Sequence, residues 1–215
     1  MIFVGKDFQN MTEEEIRSSI RGDKVRIGLC KRAIELKPYT DDEDHDVDIE
    51  RTLLEIGFLR ESINAAAAEL EKRGLTYTPS RTDVDSARFQ SKLTTLQKIL
   101  LKNKEAANEY EYEFDFTGDK MVAKDLRAIE NEELYTLDKY QILEAISELY
   151  IGEWKKDYTC DAYSIYFLIS DAWSVTFTFE DGEQKTTGGS FEYPYNFFDF
   201  LYIIDPDEKL PMRDY

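Results

Sequence analysis

The chain has 215 residues, with 45 Asp and Glu against 27 Lys and Arg, for a formal net charge of −18. Apolar residues make up 42%, enough for a sizeable core and too many for a disordered acidic tail. A nucleic-acid-binding surface needs clustered cations, so this charge balance argues against direct contact with DNA or RNA.

Met1 to Lys6 hold no apolar run of signal-peptide length, and no window approaches the ~18 apolar residues of a membrane span. The expected setting is cytoplasmic, with no membrane contact. Cys30 and Cys160 are far apart and belong to no paired motif, so both read as reduced, structural thiols.

The first half reads as helical. Thr12-Glu13-Glu14-Glu15 is a capping box ahead of Ile16 and Ile20, and Gly22 is expected to stop that helix. Asp23 could cap a second helix carrying Leu29, Cys30, Ala33, Ile34 and Leu36. The alternation of Val25, Ile27 and Leu29 also allows a strand there, and Pro38 ends the element. Ile49, Ile56, Ile63 and Leu70 then recur every seven residues, with Leu53, Leu59, Ala66 and Ala67 filling the same face. This predicts a long amphipathic helix that ends at Gly74. Thr82 or Asp83 opens another, with Val84, Ala87, Leu93, Leu96, Leu100 and Leu101 inward. The Pro79 loop between them predicts an antiparallel hairpin. Its seam, Ile49 to Leu70, is expected to pack on Leu93, Leu96 and Leu100 of the same chain, giving a monomer. The run Ala65 to Ala68 allows close helix approach.

The second half changes period. Tyr110, Tyr112, Phe114 and Phe116 alternate with Glu111, Glu113 and Asp115, a strand ended by Thr117-Gly118-Asp119. A helix is expected over Leu137 to Tyr150, with Tyr140, Leu143, Ile146 and Tyr150 on one side. Tyr163 to Ile169 reads as a strand. Trp173, Val175, Phe177 and Phe179 alternate with polar residues up to Asp181-Gly182, a hairpin signal, with Gln184 to Thr187 as the return strand. Pro194 precedes a last aromatic helix, Tyr195 to Ile204. The predicted fold is α+β: a mainly helical region over 1–108 with a helical hairpin, then an α+β region over 109–215 with an antiparallel sheet and helices on one face.

Two segments carry resemblances. Glu69-Leu70-Glu71-Lys72-Arg73-Gly74-Leu75-Thr76-Tyr77, followed by a helix, resembles the helical hairpin of phage small-terminase-like proteins over residues 48–103. The basic helix-turn-helix of that family is not evident, so DNA binding does not carry over. Trp173-Ser174-Val175 through Asp181-Gly182, Gly188-Gly189 and Tyr193-Pro194 resembles a hairpin of uncharacterised bacterial and mobile-element proteins. In size and charge the chain is similar in kind to small acidic phage inhibitors of host defence, the anti-CRISPR proteins among them.

Catalytic constellations are sparse. His45, the only histidine, lies in Asp41-Asp42-Glu43-Asp44-His45-Asp46, where surrounding carboxylates favour the imidazolium over a general base. One His and two distant Cys cannot supply a tetrahedral zinc site. Asp44, Asp46, Asp48, Glu50 and Glu55 fall at calcium-loop positions 1, 3, 5, 7 and 12, but Ile49 stands where the loop requires glycine. The competing reading is an acidic first helical turn. Glu183-Gln184-Lys185 and Glu153-Trp154-Lys155 match the E-x-K triplet of metal-dependent nucleases, yet a −18 chain repels that substrate. Gly188-Gly189 lacks the lysine of a phosphate loop.

What remains is surface. Glu109, Glu111, Glu113 and Asp115 interleave with Tyr110 and Tyr112. Carboxylates at fixed strand spacing can occupy phosphate-like positions before a basic groove, with tyrosine adding contact area. Asp41, Asp42, Asp44 and Asp46 form a second candidate patch. The expectation is a non-enzymatic interaction protein, without metal or cofactor, whose partner presents a basic surface. Its most specific form is a phage or mobile-element inhibitor occupying the nucleic-acid channel of a host enzyme such as a CRISPR nuclease. The alternatives are a divalent-metal-dependent nuclease and an oligomerising assembly protein.

Overall fold

The structure is a computed structural model that describes residues 6–36, 48–105, 108–128, 133–159, 172–190 and 192–210. The chain divides into two compact units, Met1–Pro79 and Ser80–Tyr215. The boundary between the two units lies at residue 79.

The first unit is a helix pair, α1 (Glu13–Leu36) and α2 (Ile49–Lys72). The expected capping box is present: Thr12 N donates to Glu15 Oε2 at 2.7 Å, and Glu15 N donates to Thr12 Oγ1 at 3.3 Å. Gly22 does not stop α1, and Val25 to Leu29 form no strand. Ile16, Ile20, Ile27, Cys30 and Ile34 are all buried. They share one face at three- and four-residue spacing, and burial of that face outweighs the roughly 1 kcal/mol that an internal helical glycine costs. Asp23 caps nothing. It is buried between the elements, accepting from Lys6 Nζ at 2.6 and 2.8 Å and from Ser62 Oγ at 2.7 Å. Asp48 is the cap of α2, accepting from Arg51 N at 3.0 Å.

The hairpin partner of α2 is α1, not the helix that follows. Ile16 and Ile20 cluster with Phe8, Ala66 and Leu70, and Ile63 packs against them. Arg73 closes this end by donating to the carbonyls of Met11 at 2.6 Å and Phe8 at 2.8 Å. Ile49, which heads the seven-residue repeat, is exposed.

The second unit opens with α3 (Arg81–Lys92), capped reciprocally by Ser80 and Asp83. The predicted helix does not continue past it. A turn over Leu93–Thr95 leads into β1 (Leu96–Glu105). Leu96, Ile99 and Leu101 are buried, and the register on the neighbouring strand shifts between Leu96 and Lys98. That irregularity spaces Leu96 and Ile99 three apart, which imitates a helical period in a strand.

β1 is central in a seven-stranded sheet ordered β4-β3-β2-β1-β6-β7-β5. The others are β2 (Asn108–Asp115), β3 (Lys120–Asp125), β4 (Glu133–Asp138), β5 (Asp157–Thr159), β6 (Ala172–Phe179) and β7 (Gln184–Ser190). The sheet is mixed: β5 runs parallel to β7, and the other pairs are antiparallel. The predicted alternations hold in β2 and β6, where Tyr112, Phe114, Trp173, Val175, Phe177 and Phe179 are buried. The expected strand at 163–169 lies outside the described residues, as does Cys160.

α4 (Lys139–Ser147) and α5 (Phe197–Ile204) complete the core face. Trp154 meets Phe200 edge-on at 5.4 Å, and Trp173 lies 4.6 Å from Phe197. Buried Asn196 accepts from Trp154 Nε1 at 2.8 Å and donates to the Leu149 carbonyl. α4 buries Ile142 and Ile146, while Tyr140, expected inward, is exposed.

Candidate interaction surface

Strand alternation sends the β2 carboxylates to the sheet face opposite the core. Register then places β1 lysines beside them: Lys98 opposite Asp115, Lys102 opposite Glu111 and Lys104 opposite Glu109. Lys98 Nζ is 2.7 Å from Glu113, and Lys102 Nζ is 2.9 Å from Glu111. From the other flank, Lys124 reaches Asp115 at 3.3 Å and Glu113 at 3.7 Å, and Arg127 reaches Glu109 at 2.9 Å. Burial pushes the Asp115 carboxyl up, but hydrogen bonds from Thr117 and Lys124 outweigh it and hold the pKa below the ordinary value.

The predicted acidic row is therefore a cross-strand ladder bordered by cations on both sides. Its carboxylates are paired with lysine and arginine side chains and do not stand bare. Tyr112 points the other way, into the core cluster, and Tyr110 is half-buried against that cluster. Burial, with the negative fields of Asp125, Tyr110 and Asp205, pushes the Tyr112 phenol up to about 12. Asp41, Asp42, Asp44 and Asp46 lie outside the described residues, together with His45.

The E-x-K candidates are tied into the framework. Glu183 takes Arg88 at 2.6 Å and shares Lys92 with Asp181. These contacts hold the Glu183 and Asp181 carboxyls below their ordinary values and the Lys92 ammonium above its own. Lys185 turns inward and donates to the carbonyls of Gly152 at 3.3 Å and Trp154 at 3.4 Å, and burial lowers its pKa. In the second triplet, Trp154 is buried. Glu50 and Glu55 of the calcium reading lie on α2, where Glu55 pairs with Arg26 at 2.7 Å. Among the described residues, no three His, Cys, Asp or Glu side chains gather as a metal site. No described helix is long and apolar enough to cross a membrane.

The outward sides of α4 and α5 present a different surface. Tyr140, Phe198 and Tyr202 are exposed large side chains there, and Glu144, Glu148 and Asp199 are exposed among them. None of these three carboxylates has a cation within ion-pair distance among the described residues. Partial desolvation, with no compensating cation, pushes the Asp199 carboxyl up. The i, i+4, i+8 spacing of Tyr140, Glu144 and Glu148 puts them on one side of the α4 segment, a signal masked by the expectation that Tyr140 faces the core. No protein-family model, no curated protein and no solved structure matches the chain.

Proposed function

We propose that the protein is a non-enzymatic acidic interaction protein that engages a basic surface through the outward sides of α4 and α5. One observation carries this reading. The carboxylates of the β2 row are paired with cations within the sheet, whereas Glu144, Glu148 and Asp199 have no cation within ion-pair distance among the described residues and lie on the same two helical segments as the exposed Tyr140, Phe198 and Tyr202. An uncompensated carboxylate next to an aromatic ring offers a basic partner both charge steering and apolar contact area. In its most specific form the partner is a nucleic-acid-binding host enzyme, a CRISPR-type nuclease being the example to which the anti-CRISPR resemblance points. Inhibition would follow from occupying its basic channel.

The test is capture of such an enzyme by the immobilised protein, with Glu144→Lys, Glu148→Lys and Asp199→Lys combined as the variant. Binding should fall with rising salt and be lost in the variant, while Glu111→Gln leaves it unchanged. Salt-insensitive binding that survives the triple change would sink the reading. Mg²⁺-dependent DNA cleavage by purified protein, abolished by Glu183→Ala with Lys185→Ala, would make it an enzyme instead.

A further inference from the structure

On α1, Val25 is 65% and Leu29 63% exposed; on α2, Leu54 is 64% and Phe58 44% exposed. Single exposed apolar residues are ordinary, but these four belong to two matched patterns. Arg21, Val25, Leu29 and Arg32 have offsets 0, 4, 8 and 11, and so do Glu50, Leu54, Phe58 and Glu61. At 3.6 residues per turn, each set falls within about 80° of its helix surface, and the charges at its ends stand about 16 Å apart. The α1 stripe lies opposite the buried face of Ile16, Ile20, Ile27 and Ile34, so it points away from α2. The α2 stripe likewise faces away from buried Ile56, Ala66 and Leu70.

One stripe is apolar with arginines at both ends, and the other is apolar with glutamates at both ends. A second, independent feature sits on the same surfaces. Gly22, Gly28 and Gly57 are exposed inside helices, and a Cβ added at any of them would meet nothing within 4 Å. An internal helical glycine lowers stability relative to alanine, and packing among the described residues gives no reason for these three. Close approach of another helix does.

We propose that the α1 stripe of one copy docks on the α2 stripe of a second copy, Val25 and Leu29 against Leu54 and Phe58, with the arginines on the glutamates. Arg32 also lies 3.9 Å from Glu35 of its own helix, so Arg21 is the cleaner probe. The two stripes are different surfaces on opposite sides of the helix pair, so the contact is heterologous. Each docked copy still presents one unused stripe, and assembly continues to a ring or a filament. This inference is independent of the acidic face on α4 and α5.

The experiment is sedimentation velocity of the full chain over a concentration series, at an ionic strength where repulsion between −18 chains is screened beyond ~8 Å. Wild type should form species above the dimer of 25.2 kDa chains. Arg21→Glu should return it to monomer, and adding Glu50→Arg or Glu61→Arg to the same chain should restore assembly. Which of the two restores it tells whether the helices dock parallel or antiparallel. A chain carrying Val25→Ser and Leu29→Ser, mixed with one carrying Leu54→Ser and Phe58→Ser, should stop at a one-to-one dimer. Each of those variants alone should be monomeric with unchanged circular dichroism. Gly57→Ala should raise the melting temperature while weakening assembly about tenfold or more, opposite signs that a merely structural glycine would not give. A wild type that stays monomeric, a closed two-fold dimer, or an Arg21→Glu monomer rescued by neither glutamate reversal overturns the proposal.

Discussion

Lys98 meets Glu113 at 2.7 Å across the β1–β2 ladder, with 16% of the Glu113 side chain left exposed. Lys124 of β3 stands on the other flank of the same carboxylate at 3.7 Å. Reversing Glu113 to Lys would place three ammonium groups side by side, and cross-strand like charges destabilise. The expected loss is about 1–2 kcal/mol in urea unfolding. A double-mutant cycle of Lys98→Met and Glu113→Gln should give a coupling of about 0.5–1 kcal/mol. A coupling near zero would mean that the ladder is a chance of geometry.

Thr187 on β7 is fully buried, and its Oγ1 has no hydrogen-bond partner among the described residues. Valine has nearly the same shape and no hydroxyl to desolvate. Thr187→Val should therefore raise stability by about 1 kcal/mol, since an unsatisfied buried hydroxyl costs at least that much. A lower denaturation midpoint in the variant would show that the hydroxyl is bonded after all.

The elements that were legible in the sequence are those whose period was undisturbed. β2 and β6 alternate cleanly, and α5 follows its Pro194 signal. β1 reads as helix in the sequence because one irregularity at Leu96/Lys98 changes a two-residue period to three, and its Leu-rich composition suits either state. Gly22 resembles a stop signal, while the buried face from Ile16 to Ile34 that overrides it spans about five turns of α1. The acids on β2 were correctly placed on one strand face. Their neutralisation was illegible, because it depends on which strands flank β2 and in which register, and strand order is a long-range property.

Gly152 supports a close approach to α3. A Cβ at this position would lie 3.0 Å from the Asp85 carbonyl oxygen and from Phe89 Cβ, and closer still to Ser86 Cα. Most of these atoms are backbone of a packed helix, which has little room to give. Gly152→Ala should cost about 1–3 kcal/mol through overpacking. Gly118→Ala, with no atom nearer than 3.8 Å, is the control and should change little. Equal midpoints for the two variants would remove the steric argument.

Tyr112 makes stability sensitive to alkali. Its phenol titrates near 10.0 when unhindered and at about 12 in the fold, because burial and nearby negative charge oppose the phenolate. The folded state keeps this proton over a range where the unfolded chain has released it. The stabilisation is thus fully present below pH 10 and is lost as pH rises through about 12. A two-unit difference corresponds to at most about 2.7 kcal/mol. Urea midpoints measured between pH 9 and pH 12 should fall for wild type and fall less steeply for Tyr112→Phe, whose ring fills the same buried space without an ionisable group. Tyrosinate absorbance should show one phenol fewer titrating late in the variant. Identical pH profiles for the two proteins would assign the alkaline loss to other groups, with Lys92, whose ammonium the Asp181 and Glu183 carboxylates hold above its ordinary pKa, as the next residue to replace.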